Sequence, residues 1–173
     1  ILAPYHRRIG PDPASMNAAR IGGIVSNNAS GMVCGTEFNS YHTLKDVEFM
    51  LPNGNRYDTS KPGERENFIQ NEPDLATGLL KIKTEIESNS SWKGKIREKY
   101  RLKNTIGYSM NSFLDFNHPL DIFSHLLVGA EGTLAFIANV TLKTIPDPPE
   151  KGTGLLLFNS PESAGNFVPF FKS

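Results

Sequence analysis

The strand pair around residue 50 constrains the fold more than any other feature of this sequence. Residues 46–51 and 56–59 have the composition of two strands, and Pro52-Asn53-Gly54-Asn55 lies between them. Asn-Gly is a strong signal for a tight turn between antiparallel strands, because both residues accept a positive φ. The chain is therefore predicted to contain a β-hairpin.

Helices are predicted after the hairpin. Residues 64–70 begin a helical region, and apolar residues at helical spacing continue it from Asp74 to Ile86. A basic third helix is predicted over 92–102, and a buried fourth over 120–128. The prediction is an α+β fold whose mainly antiparallel sheet is flanked by helices.

The last part of the chain shows strand patterns separated by prolines. Residues 133–145 are rich in β-branched and apolar side chains and predict one long strand, which a proline-rich segment at 146–149 ends. A further strand is predicted over 154–159, and Ser160-Pro161-Glu162 is typical of a helix start. The prolines divide the chain into 1–149 and 150–173.

Composition excludes some functions. Lys plus Arg and Asp plus Glu both number 18, so no net field attracts nucleic acid, and no nucleic-acid partner is predicted. The single cysteine, Cys34, is compatible with a reducing compartment, and the cytoplasm is the expected location. The first residue is not Met and the chain ends in an apolar run, so we expect a fragment of a longer protein.

Two glycine-rich segments are candidates for ligand contact. Residues 22–31 combine glycines with small polar side chains, which allow a ligand to approach the backbone closely, and residues 128–137 contain Gly129-Ala130-Glu131-Gly132. Neither segment matches the dinucleotide fingerprint or the P-loop. Taken alone, the first is better explained as a turn between core elements, and the second as a helix end followed by a strand.

The residues that most often perform catalysis show no active-site pattern. The four histidines lack a second His or Cys at metal-ligand spacing, so we expect them to be structural and assign no metal ligand. Cys34 has no sequence-adjacent His or Asp and is expected to be a small packed residue. No catalytic residue is assigned.

Taken in order, several segments resemble the FAD-linked oxidase family, which has the vanillyl-alcohol-oxidase type of FAD-binding domain. They are Pro11-Asp12-Pro13-Ala14-Ser15, Gly22-Gly23 with Asn27-Asn28-Ala29-Ser30-Gly31, and Gly129-Ala130-Glu131-Gly132-Thr133-Leu134. The branch that it most resembles contains large bacterial FAD and iron–sulfur proteins that oxidise D-lactate or D-2-hydroxyglutarate. The similarity covers residues 9–149, including Lys103-Asn104-Thr105-Ile106-Gly107-Tyr108.

The resemblance implies that residues 1–149 are the second lobe of the FAD-binding domain, and that 150–173 are a linker and the start of a truncated substrate-binding cap. FAD is the implied cofactor. The implied contacts to the flavin and its phosphates are Pro13, Ala14, Ser15, Gly22, Gly23, Asn27, Asn28, Ala29 and Ser30. Glu131, Gly132 and Ile137 are implied at the adenosine end.

The implied reaction is oxidation of a D-2-hydroxy acid, such as D-lactate, D-2-hydroxyglutarate or glycolate, to the 2-oxo acid. The implied partners are this substrate, the first FAD lobe and cap of the parent chain, and an unidentified electron acceptor. Iron–sulfur clusters would lie outside this chain, since they need several cysteines. Two alternatives remain open: an FAD oxidoreductase of the same fold with another substrate, and a non-catalytic flavin-fold binding module. Peripheral attachment to the inner membrane face is the alternative to a purely cytoplasmic location.

Overall fold

The computed structural model describes residues 1–150 and 152–171. The strands are β1 (Arg7–Ile9), β2 (Leu44–Met50), β3 (Arg56–Asp58), β4 (Phe136–Leu142) and β5 (Thr144–Pro146). The helices are α1 (Ile21–Asn27), α2 (Ser40–Thr43), α3 (Glu64–Asn71), α4 (Pro73–Ser88), α5 (Ser90–Lys99), α6 (Ser112–Asp115), α7 (Pro119–Leu126) and α8 (Pro161–Phe171). A short 3₁₀ turn precedes β1 at Ala3–Tyr5.

The strands form two antiparallel sheets, which confirms the predicted α+β class. One sheet has the order β3-β2-β4, and the other pairs β1 with β5. The hairpin is confirmed, with Met50 opposite Arg56 and a positive φ of 90° at Gly54. Strand β2 buries Leu44, Val47 and Phe49, so one face of the larger sheet is covered by the core.

The single long strand predicted over 133–145 is wrong. Strand β4 pairs with β2 as far as Leu142 opposite Leu44, whereas β5 pairs with β1 through Thr144 opposite Ile9. Between them, Lys143 donates its backbone N–H to the carbonyl of Thr43 at 2.7 Å. The chain passes from the larger sheet to the smaller one at Lys143, since the residues before it pair with β2 and those after it pair with β1.

The predicted strand at 154–159 is also wrong, since residues 152–158 have no regular secondary structure. The helix predicted after it is confirmed as α8, and the backbone N–H of Ser163 donates to Ser160 Oγ at 3.2 Å as in an N-cap. Lys151, Lys172 and Ser173 of the predicted 150–173 segment lie outside the described residues. No helix in the described part of the chain is long and apolar enough to cross a membrane.

An aromatic cluster joins the larger sheet to the helices. The Phe49 ring lies 5.6 Å from Tyr57 and 5.3 Å from Phe123, and the Phe68 ring lies 5.1 Å from Tyr57. These residues belong to β2, β3, α3 and α7, so one group of rings holds four elements together. Offset and edge-to-face ring pairs stabilise such a core beyond the burial of their area.

The hairpin is anchored to the α3–α4 junction through Glu72. Its carboxylate accepts hydrogen bonds from the side-chain amides of Asn53 and Asn55 and from the Tyr57 hydroxyl, at 2.7 to 3.2 Å. Burial, together with this hydrogen bond to Glu72, raises the pKa of Tyr57 to about 12. The Tyr57 hydroxyl is therefore a donor at neutral pH.

The half-buried His125 is expected to make the stability depend on pH. The His125 ring stacks on Phe116 with centroids 3.9 Å apart, and its Nδ1 lies 2.9 Å from the Asp121 carbonyl oxygen. Burial lowers the pKa of His125 below its usual value, because the charged ring loses water. The neutral ring is therefore favoured in the folded state.

We expect this histidine to make the protein less stable in acid. Below about pH 6.5 the unfolded chain takes up a proton that folded His125 resists, so the free energy of unfolding falls as pH falls through the folded pKa. Urea unfolding at about pH 7.5 and about pH 5 should show a smaller acid loss for His125→Gln than for the wild type. His6→Gln, at an exposed position, is the control. Equal acid losses in His125→Gln and wild type would contradict the prediction.

Candidate functional site

Asp12 holds residues 11–14 against residues 28–34. Asp12 and Gly31 form a parallel β-bridge, and the Asp12 N–H donates to the Ser30 carbonyl at 3.0 Å. The Asp12 carboxylate also accepts from the backbone N–H groups of Val33 and Cys34, at 3.2 to 3.3 Å. Residues 11–14 and 28–34 therefore lie side by side, although neither is part of a sheet.

Gly31 is the point of closest approach between these segments. Its φ is +76°, and a Cβ built on it would lie 2.0 Å from the Asp12 carbonyl oxygen. The left-handed backbone favours glycine, and the distance excludes every larger residue unless the loop moves. Gly31 is thus required by the geometry of the loop itself.

A cavity of about 660 Å³ opens between the two segments. Its lining residues are Asp12, Pro13, Ala14, Asn27, Ala29, Ser30, Gly31, Met32, Lys103 and Thr105. Five of the predicted cofactor contacts, at positions 13, 14, 27, 29 and 30, are therefore brought together. Small and apolar groups with a few polar atoms are the usual lining of a small-molecule site of this size.

Residues 21–27 form helix α1, where the sequence indicated a glycine-rich cradle. The end of this helix is held by the second predicted segment. Gly129 donates its N–H to the Val25 carbonyl at 3.2 Å, and Glu131 donates its N–H to the Ser26 carbonyl at 2.8 Å. Carbonyls at a helix end have few partners within the helix, and these two contacts add partners from a distant segment. The Val25 carbonyl also accepts from the Asn28 N–H at 3.0 Å.

Glu131 also orients one residue of the cavity. The Asn27 side-chain amide donates to Glu131 Oε1 at 2.7 Å. Glu131 has a φ of +52°, which turns its N–H towards α1 and its carboxylate towards Asn27. The two glycine-rich segments therefore form one structural unit, and residue 131 acts on the cavity through Asn27.

Asn28 lies at the end of α1 in the left-handed region, with a φ of 49°. Its side chain is buried, and Nδ2 donates to the Asn104 carbonyl at 3.4 Å. Its Oδ1 is buried and has no hydrogen-bond partner among the described residues. A buried acceptor without a donor is unfavourable. A polar group of a ligand that donates to this oxygen would explain why it lacks a partner.

The other predicted contacts do not line the cavity. Ser15 lies in a turn, where its carbonyl accepts from the N–H groups of Ala18 and Ala19. Gly22 and Gly23 lie in the first turn of α1, and a Cβ built on either would meet no atom within 4 Å. Gly132 and Ile137 do not line the cavity either, and Ile137 pairs with Phe49 in the larger sheet. Open space at the two glycines leaves room for a ligand there.

Five cavity residues were not assigned as contacts from the sequence: Asp12, Gly31, Met32, Lys103 and Thr105. Lys103 Nζ donates to the Gly31 carbonyl at 2.6 Å, across 72 residues of sequence. A signal existed, because residues 12 and 103–105 belong to segments that carry the family resemblance. Their role in a shared cavity becomes visible only in the fold.

Cys34 is a packed residue, as predicted. It is 2% exposed, and its Sγ lies 2.6 Å from the Ser30 carbonyl oxygen. Burial raises the pKa of the Cys34 thiol, and the nearby Asp12 carboxylate adds to this effect. The thiol is therefore protonated at neutral pH, whereas a reactive cysteine is a thiolate. The described residues contain no group of three or more His, Cys, Asp or Glu side chains that could hold a metal ion.

The cavity residues fit a flavin nucleotide. Small side chains at positions 14, 29 and 31 leave open space in the cavity. The neighbouring Asn28, which does not line the cavity, has a buried Oδ1 without a hydrogen-bond partner among the described residues. Asn27 and Lys103 provide donors, and Pro13 and Met32 provide apolar surface. An aromatic ring system with polar edges and charged phosphates needs this mixture of groups.

Residues 1–60 match the family model described as an FAD binding domain. The matched region contains eight of the ten cavity residues, from Asp12 to Met32. This part of the chain is therefore FAD-binding, with FAD as its cofactor, and the family is typical of FAD-dependent oxidoreductases. No curated protein and no solved structure matches the chain.

Proposed function

We propose that this chain, whose residues 1–60 belong to an FAD-binding domain, is part of an oxidoreductase that oxidises a D-2-hydroxy acid to the 2-oxo acid. The observation that carries the flavin part of the proposal is the cavity between residues 12–14 and 27–32. Eight of its ten lining residues lie within the region that matches the family model. The hydroxy-acid part rests on the order of the motifs along the sequence.

The chain's own residues would bind and position the cofactor. Pro13, Ala14, Ala29 and Ser30 would contact it directly, and Asn27 would donate a hydrogen bond from an amide that Glu131 already orients. When bound, FAD supplies the two-electron redox chemistry, while the protein supplies orientation and electrostatics. Ser15, Gly22, Gly23 and Asn28 remain proposed contacts near the flavin and phosphates, and Glu131, Gly132 and Ile137 at the adenosine end.

We further propose the domain arrangement that the resemblance implies. Residues 1–149 would be the second FAD lobe, and 150–173 would lead into a cap that binds the substrate. The first lobe, most of the cap and the catalytic groups would belong to other parts of a parent chain. Electrons would leave the flavin for an acceptor such as an iron–sulfur cluster, with its cysteine ligands outside this chain. We place this enzyme in the cytoplasm.

Flavin reduction by the parent protein tests the proposal. The visible spectrum of bound FAD would be followed anaerobically after addition of D-lactate, D-2-hydroxyglutarate or glycolate, with L-lactate and L-2-hydroxyglutarate as controls. We expect one D-acid or glycolate to bleach the flavin band and the L-acids to leave it unchanged. Bound flavin that none of these acids reduces would contradict the substrate class. A folded parent protein that binds no flavin would instead favour a non-catalytic module.

A further inference from the structure

We propose that Lys103 binds the pyrophosphate of FAD and is the cationic residue of this site. The inference rests on the proposed function and goes beyond it, because no residue after position 32 was expected near the phosphates. Lys103 lines the cavity together with residues 12–14 and 27–32, and its ammonium donates to the Gly31 carbonyl.

The position of the Lys103 ammonium is fixed by a hydrogen bond. Nζ donates to the Gly31 carbonyl at 2.6 Å, which uses one of its three N–H donors. The other two donors are available for an anion. The bridge to Asp12 restrains the Gly31 backbone. The Lys103 ammonium is therefore hydrogen-bonded to a restrained part of the loop.

The backbone around Lys103 is held as well. Asn28 Nδ2 donates to the Asn104 carbonyl at 3.4 Å, and the Tyr108 hydroxyl lies 3.0 Å from Thr133 Oγ1. The Tyr100 hydroxyl donates to the Tyr108 carbonyl at 2.7 Å. The segment that carries Lys103 is therefore tied to the end of α1 and to the loop before β4, and these contacts restrain this wall of the cavity.

The charges in the cavity indicate which ligand group Lys103 would bind. Among the described residues that line the cavity, Lys103 is the only cation and Asp12 the only anion. The Asp12 carboxylate already accepts from two backbone N–H groups. The expected contacts at positions 13–15, 22, 23 and 27–30 include no charged side chain. A pyrophosphate carries negative charge and is best recognised by charge-assisted hydrogen bonds, which Lys103 can provide.

The test compares two flavins that differ in their phosphates. Lys103→Gln keeps a group that can donate to the Gly31 carbonyl but removes the charge, and Lys103→Arg keeps the charge. Lys81→Gln, on an exposed part of α4, removes the same charge away from the cavity. Quenching of flavin fluorescence, measured on the flavin-free parent protein, would give the affinity of each variant for FAD and for riboflavin, which has no phosphate, at low and high salt. Urea unfolding would show that each variant is folded.

We expect Lys103→Gln to weaken FAD binding roughly tenfold, the lower end of the range for a hydrogen bond to a charged group, since the lysine is exposed. Riboflavin binding should stay unchanged, Lys103→Arg should retain most of the FAD affinity, and Lys81→Gln should behave as wild type. The FAD affinity of the wild type should also fall more steeply with salt than that of Lys103→Gln.

Two results would overturn this inference while leaving the proposed function intact. Equal losses of FAD and riboflavin affinity in Lys103→Gln would show that the lysine only supports the loop. Unchanged FAD affinity in that variant would show that the phosphates bind elsewhere. If the folded wild type bound neither flavin, the proposed function would fail first, and the inference with it.

Discussion

Replacing Gly31 by alanine is expected to lower the free energy of unfolding by about 2–4 kcal/mol and to abolish most FAD binding. The new Cβ would lie 2.0 Å from the Asp12 carbonyl oxygen, at a residue with a φ of +76°. The loop can accommodate it only by moving away from Asp12, which breaks the bridge and widens the cavity. Urea unfolding and quenching of flavin fluorescence measure the two effects.

Gly35→Ala is the matched control, because it separates backbone strain from collision. Gly35 has a φ of +57°, and a Cβ built on it would meet no atom within 4 Å. This variant bears only the left-handed strain, about 1–2 kcal/mol, and should still bind FAD. If Gly31→Ala and Gly35→Ala had the same stability and the same FAD affinity, the tight contact between residues 12 and 31 would contribute neither to stability nor to FAD binding.

Replacing Phe49 by alanine is expected to destabilise the fold by about 3–5 kcal/mol. Phe49 is completely buried, and its ring is in contact distance of the rings of Tyr57 and Phe123. Its loss leaves a cavity between β2, β3 and α7 that the surrounding rings cannot fill without moving. Chemical unfolding gives the change in stability.

Phe136→Ala provides the comparison, since Phe136 lies one position along β4 from Phe49's partner Ile137 but is 65% exposed. Phe136→Ala should lower the free energy of unfolding by less than about 1 kcal/mol, which is the range of strand propensities. Phe49 does not line the flavin cavity, so the folded fraction of Phe49→Ala should bind FAD with wild-type affinity. Equal destabilisation by the two substitutions would contradict the central position of Phe49.

The hairpin could be predicted because the residues that determine it lie next to one another in the sequence. Asn53-Gly54 favours a turn with positive φ, and the neighbouring strands need only pair with each other. The large α-helices were also predictable, since an apolar stripe at helical spacing appears within one segment. The stripe was nevertheless imperfect: Leu80 and Ile82 are exposed, and Lys83 is buried, with its Nζ donating to Glu87 and to the Phe113 carbonyl.

Helix α1 and the split of the last strand depend on distant residues. Gly22 and Gly23 weaken a helix, yet α1 forms with its last carbonyls bonded to Gly129 and Glu131, a hundred residues later in the chain. Likewise, residues 133–145 have strand character throughout, and only the pairing of β5 with β1 divides them. Neither the contact of α1 with residues 129 and 131 nor the pairing of β5 with β1 can be predicted from the local sequence.

The candidate site shows the same division. The motifs at 13–14 and 27–30 could be assigned as contacts because the resemblance covers them, and the fold places five of those residues on one cavity. The resemblance also covers Asp12 and Lys103, but their roles depend on hydrogen bonds to residues 30–34 and to Gly31, which only the fold shows. Sequence patterns indicated which segments matter, and tertiary contacts decide which atoms face the cavity.

The most direct test of the central claim, that this chain holds part of an FAD site in the cavity between residues 12–14 and 27–32, is a titration of the flavin-free parent protein with FAD. Flavin fluorescence would be followed for the wild type, Gly31→Ala and Gly35→Ala at equal concentration. We predict saturable binding of one FAD to the wild type and to Gly35→Ala, and little binding to Gly31→Ala. A folded wild type that does not bind FAD, or a folded Gly31→Ala that binds it as tightly as the wild type, would contradict the claim.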